Sequence, residues 1–369
     1  MSPTPADPDS APAPGADAWT DPAALQLPAS RVPDPSDAPP LRWAVISPGH
    51  IGTQFIETLH RATASRVVAV ASRSARRAER AAREHGIDHA YDSVPAMLEA
   101  GGFDVVHIAS PHAQHHAYAR AALEAGYPVL VEKAFTLNAS QARDLLDLAA
   151  DKGLFAMEAM WARFLPQYDV LSQVLDSGLL GEIVSVRADH GQYFPTDPSH
   201  RMFAPELGGG ALLDLGVYPV SFAQFVLGDL TDLTVSGTLT STGVDETVAV
   251  TAASSRLPGA RAHLGTTLRA RTVNDAVVAG TQGRAHLRET FYAPTTLDVE
   301  LNDGRTASFT HPGDPADGLA YEAAEAARRI TAGRTSSPRM SRQDTVSVMT
   351  TLDTIRGALG VTYPQEHGA

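Results

Sequence analysis

From Leu41 onward, short apolar runs alternate with amphipathic stretches: LRWAVIS is followed by GTQFIETLHRAT, RVVAVASR by SARRAERAAREHG, and then come DVVHIAS, HHAYARAALEAG and PVLVEK. The runs are apolar throughout rather than at every second position. That is the pattern of strands covered on both faces, so the repeated strand and helix units predict a doubly wound parallel sheet. After Gly181 the pattern changes. IVSVRADHGQYF, LTVSGTLTSTG, ETVAVTAAS, ARAHLGTTLRA, DAVVAGTQGRAHL and TTLDVELNDGRTASF read as strands, with Asn302-Asp303-Gly304 as a tight hairpin turn. This half predicts a largely antiparallel, open-faced sheet covered on one face by helices near Ala211 to Leu227 and Leu319 to Ala332. A last helix, Arg342 to Gly360, has apolar residues at helical spacing and ends in glycine.

The fold class is therefore α/β plus α+β. A chain of 369 residues is long enough for two cores. The expected divisions are residues 1–40 as a disordered tail, 41–155 as a nucleotide-binding domain and 156–338 as a substrate and oligomerisation domain. Residues 339–369 are expected to form a helix and tail packing back on the first domain. The tail reading rests on its wealth of Pro, Ala and Asp, which cannot bury enough apolar surface to offset the entropy of ordering. It has neither the basic start nor the apolar run of a secretory signal, and elsewhere no long uninterrupted apolar stretch suggests a membrane span; a cytoplasmic protein is expected.

The chain contains no cysteine, which removes disulfides, thiolate metal sites and a cysteine nucleophile. With 29 basic and 42 acidic residues its net charge is −13, unfavourable for nucleic acid or anionic lipid. A small-molecule substrate fits better, and the open sheet face suggests a homodimer or higher homo-oligomer.

The stretch AVISPGHIGTQF joins a buried strand to a helix, as does the glycine fingerprint of a dinucleotide-binding Rossmann turn. Ser47, Gly49 and Gly52 fall on its three glycine positions. Gly49 would let the backbone approach a pyrophosphate and Gly52 would let helix and strand pack closely, while the first position is expected to need only a turn, which Ser47-Pro48 can form. His50 and Ile51 begin the helix, whose free amides favour phosphate. The bland alternative is an ordinary strand-to-helix turn. The next strand ends in Ser72 and Arg73, with Arg76 and Arg77 following. With no acid there to hold a ribose 2′-hydroxyl, NADP is preferred and NAD is the alternative. The competing reading, a solvated basic helix start, fits Arg76 better than Arg73.

VLVEKAF puts Glu132 and Lys133 at the carboxyl edge of the parallel sheet, where open α/β folds bind ligands. Lys133 can donate a proton or stabilise a developing alkoxide; the alternative is a surface salt bridge. Asp214 and Tyr218 are one helical turn apart and share a face. A carboxylate in so apolar a stretch needs a partner, although plain helix packing would account for Tyr218. His112, His115 and His116 superficially suggest a metal, but no cysteine or carboxylate cluster completes such a site, so no metal is expected. Met157 and Met160 read as core. Arg163 requires an anionic or aromatic partner among its apolar neighbours.

ISPGHIG, ASPHAQHH, VEKAF, FAMEAMWARFLP and LGGGALLDLGVYP occur in the order found in the glucose-fructose oxidoreductase / inositol dehydrogenase (Gfo/Idh/MocA) family. The chain resembles most the branch containing trans-dihydrodiol dehydrogenase and D-xylose dehydrogenase (NADP), from about Leu41 to the last helix. The resemblance implies that Glu132 and Lys133, the Glu-Lys of the Glu-Lys-Pro signature, border the cofactor, with Lys133 contacting both nicotinamide ribose and substrate hydroxyl, and Ala134 in place of proline giving a less rigid backbone there. It makes Asp214 and Tyr218 the ends of the Asp-x-Gly-x-His motif, with Tyr replacing His as in the dihydrodiol branch. It places Ser110, Pro111 and His115 beside the cofactor and Trp161 and Arg163 near the nicotinamide and substrate, with His112 in place of a common Asn. Tyr193, His200 and Arg201 are substrate-loop candidates.

The expected activity is hydride transfer between nicotinamide and a secondary alcohol or carbonyl of a sugar, polyol or cyclic diol. Tyr218 would exchange the hydroxyl proton, its pKa lowered by Lys133, and Asp214 would orient Lys133 or the substrate. The alternatives are a non-catalytic NADP(H)-binding regulatory protein and a nucleotide-assisted glycosidase.

Overall fold

The computed structural model describes residues 25–366. Its first sheet is all parallel and contains β1 (Arg42–Ile46), β2 (Arg66–Ala71), β3 (His89–Tyr91), β4 (Val105–Ile108), β5 (Val129–Glu132) and β6 (Ala156–Ala159), in the order β3-β2-β1-β4-β5-β6. Helices α1 (His50–Ala62), α2 (Ala75–His85), α3 (Val94–Ala100), α4 (His112–Glu124) and α5 (Ala139–Asp151) connect them. All four residues of β4, β5 and β6 are buried, as the continuous apolar runs require. The order reverses between β1 and β4, so the loops after these strands diverge and open a crevice at the sheet's carboxyl edge. β6 belongs to this sheet, pairing with β5 from Val129↔Ala156 to Glu132↔Ala159; the expected domain boundary after residue 155 therefore falls a strand too early. AMEA is too short for its pattern to show which sheet it joins.

After α6 (Pro166–Asp176), the second sheet comprises β7 (Ile183–Gly191), β8 (Leu230–Leu239), β9 (Asp245–Ser254), β10 (Arg261–Thr267), β11 (Ala276–Gly280), β12 (Gly283–Leu287), β13 (Thr296–Leu301) and β14 (Thr306–Thr310). Its order is β14-β13-β12-β11-β7-β10-β9-β8; β7 and β10 are parallel and the other neighbours antiparallel. Gly304 at φ 90° makes the expected turn between β13 and β14. Helices α7 (Val217–Leu227), α8 (Gly318–Thr331) and α9 (Arg342–Leu359) complete the fold. α7 packs on β7 and β10, while Arg187, Thr234, Thr251 and His263 line a shallow depression on the sheet's other face.

Three expectations are corrected here. The helix anticipated from Ala211 is a π-helical turn over Leu212–Gly216 that runs into α7. A π turn has nearly the same apolar periodicity as an α turn, so the pattern cannot distinguish them. Second, α9 does pack on α5 of the first domain, but also on α7 and β8 of the second, and so bridges the two. Third, the segment read as a disordered tail is ordered from Leu25. Leu25 is buried in the main core, and Arg31 bonds the buried Asp169 through its backbone N–H at 2.7 Å and its guanidinium at 3.0 Å. Gln173 Nε2 donates to Ala29 O at 3.0 Å. Composition does not reveal this, because the segment borrows burial and a carboxylate partner from α6 rather than building a core itself. Residues 1–24, also part of the expected tail, and 367–369 lie outside the described residues.

Candidate active site

A cleft of about 800 Å³ follows the crevice from the β1–α1 loop to the π turn. At one end Ser47, Pro48, Gly49, His50 and Ile51 line it. No side chain caps α1, and its N-cap is Gly49. A Cβ on Gly49 would meet nothing nearer than Ser47 O at 3.9 Å, whereas one on Gly52 would stand 3.0 Å from Ser47 O and 3.2 Å from Ala109 Cβ. The two glycines thus differ as expected: Gly52 allows helix and strand to pack, and Gly49 leaves the backbone open to the cleft. Ser47 is not simply a turn residue, because its φ of 64° is in the left-handed region that favours glycine. Its N–H donates to Ala71 O at 2.8 Å and its carbonyl accepts from Gly49 N–H at 2.7 Å, which holds it there.

Ser72, Arg73 and Arg77 line the neighbouring wall, joined by Ser74 and Arg80, which the sequence reading missed. The only carboxylates among the lining residues, Glu132 and Asp214, are at the other end. Ser110, Pro111, His112 and His115 form the floor after β4. One His115 ring nitrogen lies 2.7 Å from Ser110 O and the other 3.0 Å from Ala134 O, between the loops after β4 and β5; burial lowers its pKa to about 4, so the neutral ring donates to one of the two. Of the three histidines, His112 and His115 pack edge to face at 5.5 Å, with His112 reaching Gly208 O at 2.9 Å, whereas His116 turns away to Asp144 on α5 at 2.7 Å.

At the far end, Glu132 is buried and pairs with His107 Nε2 at 3.2 Å rather than with its neighbour Lys133. The Lys133–Ala134 peptide bond is cis. Lys133 Nζ donates to Asp214 O at 2.6 Å and lies 3.4 Å from Asp214 Oδ1. Arg201 grips both carboxylate oxygens of Asp214, at 3.2 and 3.1 Å. Burial alone would raise the Asp214 carboxyl, but Lys133, Arg201 and His112 outweigh it and hold it well below the usual carboxylate range. Asp214 is the partnered buried carboxylate that its apolar setting demanded.

Tyr218 follows on α7. Lys133 Nζ lies 5.0 Å from its ring centroid, and its hydroxyl accepts from Trp161 Nε1 at 2.8 Å. Its ring stacks on Tyr292 at 4.4 Å, which stacks in turn on His190 at 4.1 Å. Neither of these last two drew attention in the sequence: His190 stands within a strand, β7, and Tyr292 beside Phe291 in the turn after β12, where nothing local marks them as partners of Tyr218. The expected lowering of the Tyr218 pKa does not occur. Burial first, then Glu132, push it well above its ordinary value, and the Trp161 bond opposes them only in part.

Neither Tyr218 nor Trp161 is among the residues that line the cleft, and Arg163, Tyr193 and His200 lie apart from it. Arg163 is buried, donating from Nε to Ser221 Oγ at 3.0 Å and from its terminal nitrogen to Ser221 O at 2.9 Å, with its guanidinium over Phe225. Its need for a partner is met in the core rather than at a ligand. Tyr193 is exposed, and His200 accepts from Met202 N–H at 3.3 Å; of this loop's candidates only Arg201 lines the cleft. Met157 and Met160 are core, as expected. Pro205–Leu227 is long and apolar enough to cross a membrane, but in this fold it is 94% buried inside the protein.

Both domains have counterparts in known proteins. The model of an oxidoreductase family with an NAD-binding Rossmann fold matches residues 41–160, and that of the GFO/IDH/MocA C-terminal domain matches residues 168–286. Trans-1,2-dihydrobenzene-1,2-diol dehydrogenases of Homo sapiens and Danio rerio are each 34% identical over 339 residues, covering 88% of this chain and 99% of the relative. The crystal structure of a 3-ketoreductase from Actinomadura kijaniata, in complex with NADP and TDP-benzene, is 28% identical with a TM-score of 0.74, covering 86% of this chain and 98% of its own. An aldose-aldose oxidoreductase from Caulobacter crescentus shares the fold at a TM-score of 0.79 and 19% identity, over 87% of this chain and 98% of its own. With both domains matched and nearly the full length of these dehydrogenases spanned, the chain belongs to the Gfo/Idh/MocA family: it is an oxidoreductase with an NAD(P)-binding Rossmann domain.

Proposed function

We propose that this protein is an NADP-dependent oxidoreductase that interconverts a secondary alcohol and a carbonyl on a sugar or cyclic diol. The observation that carries this reading is one continuous cleft with the glycine loop and Arg73 at one end and Lys133 with Asp214 at the other. The amides of the β1–α1 loop and the start of α1 would hold the pyrophosphate. Ser72, Arg73 and Arg77 would hold the 2′-phosphate, and no acid on that wall favours a bare ribose. Ser110, Pro111 and His115 would border the nicotinamide end, with Trp161 beside the substrate. When bound, the nicotinamide supplies the hydride acceptor or donor.

Lys133 has three N–H bonds, of which one is held by Asp214 O and a second is directed at Oδ1. The third is free to donate to the substrate oxygen and to stabilise negative charge developing there. Tyr218, with its raised pKa, enters as a neutral phenol. In carbonyl reduction it would donate its proton to the substrate oxygen. Alcohol oxidation is the reverse: Tyr218 must first lose its proton to solvent, its phenolate stabilised by the Lys133 charge, before it can take the hydroxyl proton, and burial makes that form the costlier one. The dihydrodiol dehydrogenase relatives and the NADP-bound 3-ketoreductase support a substrate of this class.

The test is a panel of aldoses, inositols and cyclic diols assayed with NADP and NAD side by side. The reading expects turnover on at least one, faster at low NADP than at low NAD. Equal efficiency with NAD would remove the NADP assignment, and glycoside cleavage without net NADPH would replace the reaction.

A further inference from the structure

Asp245, the first residue of β9, is fully buried, and nothing in the chemistry above uses it. Its Oδ2 accepts from Leu212 N–H at 2.6 Å, at the first residue of the π turn. Two residues later the same turn presents Asp214 O to Lys133 at 2.6 Å. One residue further, Leu215 O meets His190 Nδ1 at 3.2 Å. The backbone of this short turn is thus held by three side chains from outside it, one of them catalytic in our reading.

The approach to the turn is built around the same carboxylate. Gly210 has φ 114°, and a Cβ there would collide with Asp245 Oδ1. The preceding carbonyl, Gly209 O, accepts from the Tyr363 hydroxyl at 2.7 Å, and Arg356 stands on the same side, paired with Asp353 and Glu366. Leu212, Leu213 and Leu215 are buried around the turn, so without Asp245 the Leu212 N–H would face an apolar interior with no acceptor.

We infer that Asp245 is a positioning residue for the reaction: its carboxylate anchors the π turn so that Asp214 offers both its carbonyl and its carboxylate to Lys133. The inference rests on the proposed roles of Lys133 and Asp214. Asp245 touches neither substrate nor cofactor, and the glycine loop and Arg73 belong to the other domain. Its loss should therefore appear in turnover and not in cofactor affinity.

The experiment compares Asp245→Ala, Asp245→Asn and Lys133→Met with wild type, each assayed well below its own melting temperature, for kcat and for NADPH affinity by fluorescence. Asp245→Ala is expected to lower kcat about 10- to 100-fold, the scale of a misplaced catalytic group. Its NADPH affinity should stay within about twofold. Asp245→Asn retains an oxygen for Leu212 N–H and should recover most of the loss. If Asp245→Ala does not fold, Gly210→Ala displaces the same carboxylate and carries the same expectation. Wild-type kcat in a folded Asp245→Ala or Gly210→Ala variant overturns the inference, as does an Asp245→Asn variant as slow as Asp245→Ala. Wild-type kcat in Lys133→Met would instead overturn the functional reading beneath it.

Discussion

Lys133 Nζ lies 2.6 Å from the backbone carbonyl of Asp214 and 3.4 Å from its carboxylate, so a strand end of the first domain and a π turn of the second meet in one ion pair. Both side chains are largely buried, which makes the pair costly to break from one side only. The cleft of the first domain and the π turn of the second are therefore joined at the atoms we read as catalytic.

Arg73 is exposed on the cleft wall at the end of β2. If it binds the 2′-phosphate, Arg73→Ala should remove charge-assisted hydrogen bonds worth about 1.5–2 kcal/mol, or roughly 10- to 30-fold in NADPH affinity. NADH, which lacks that phosphate, should bind nearly as before. Fluorescence titration with both cofactors checks this, and an equal loss for both would assign Arg73 to the pyrophosphate or to structure.

Ser47 carries its side chain at φ 64°. Ser47→Gly relieves a left-handed conformation but adds freedom to the unfolded chain, for a net gain of about 0.5–1 kcal/mol. Urea denaturation should show a higher midpoint at unchanged slope. A lower midpoint would mean that the hydroxyl makes a stabilising contact that glycine forfeits.

Glu158 on β6 is fully buried, and burial pushes its carboxyl up to about 7, against bonds from Thr345 and Phe135 N–H and the charge of Arg163. Because the folded state holds this proton more tightly than the unfolded state, its contribution is fully present below about pH 4.5 and is lost as pH rises through about 7. Glu158→Gln cannot ionise. Relative to wild type it should therefore gain stability between pH 5 and pH 8, on the order of 2–3 kcal/mol. Denaturation of both proteins at the two pH values measures the difference, and parallel pH profiles would contradict the assignment.

What could be read from sequence was what is local. Continuous apolar runs identified the parallel strands, and the spacing of Ser47, Gly49 and Gly52 located one end of the cleft. The partners of buried charges were not local: Arg163 finds Ser221, 58 positions on, and Arg31 finds Asp169, 138 positions away. The π turn escaped because Leu212, Leu213 and Leu215 would be buried in an α-helix as well. The rise in the Tyr218 pKa escaped because it depends on burial and on Glu132, neither of which neighbours it in sequence.

The central claim, that Lys133 acts on the reacting oxygen while the glycine loop and the Arg73 wall hold the cofactor, is tested most directly by Lys133→Met. We expect NADPH to bind within about threefold of wild type while kcat on the best substrate of the panel falls by about 100-fold or more. Undiminished kcat in a folded, NADPH-binding Lys133→Met protein would contradict it.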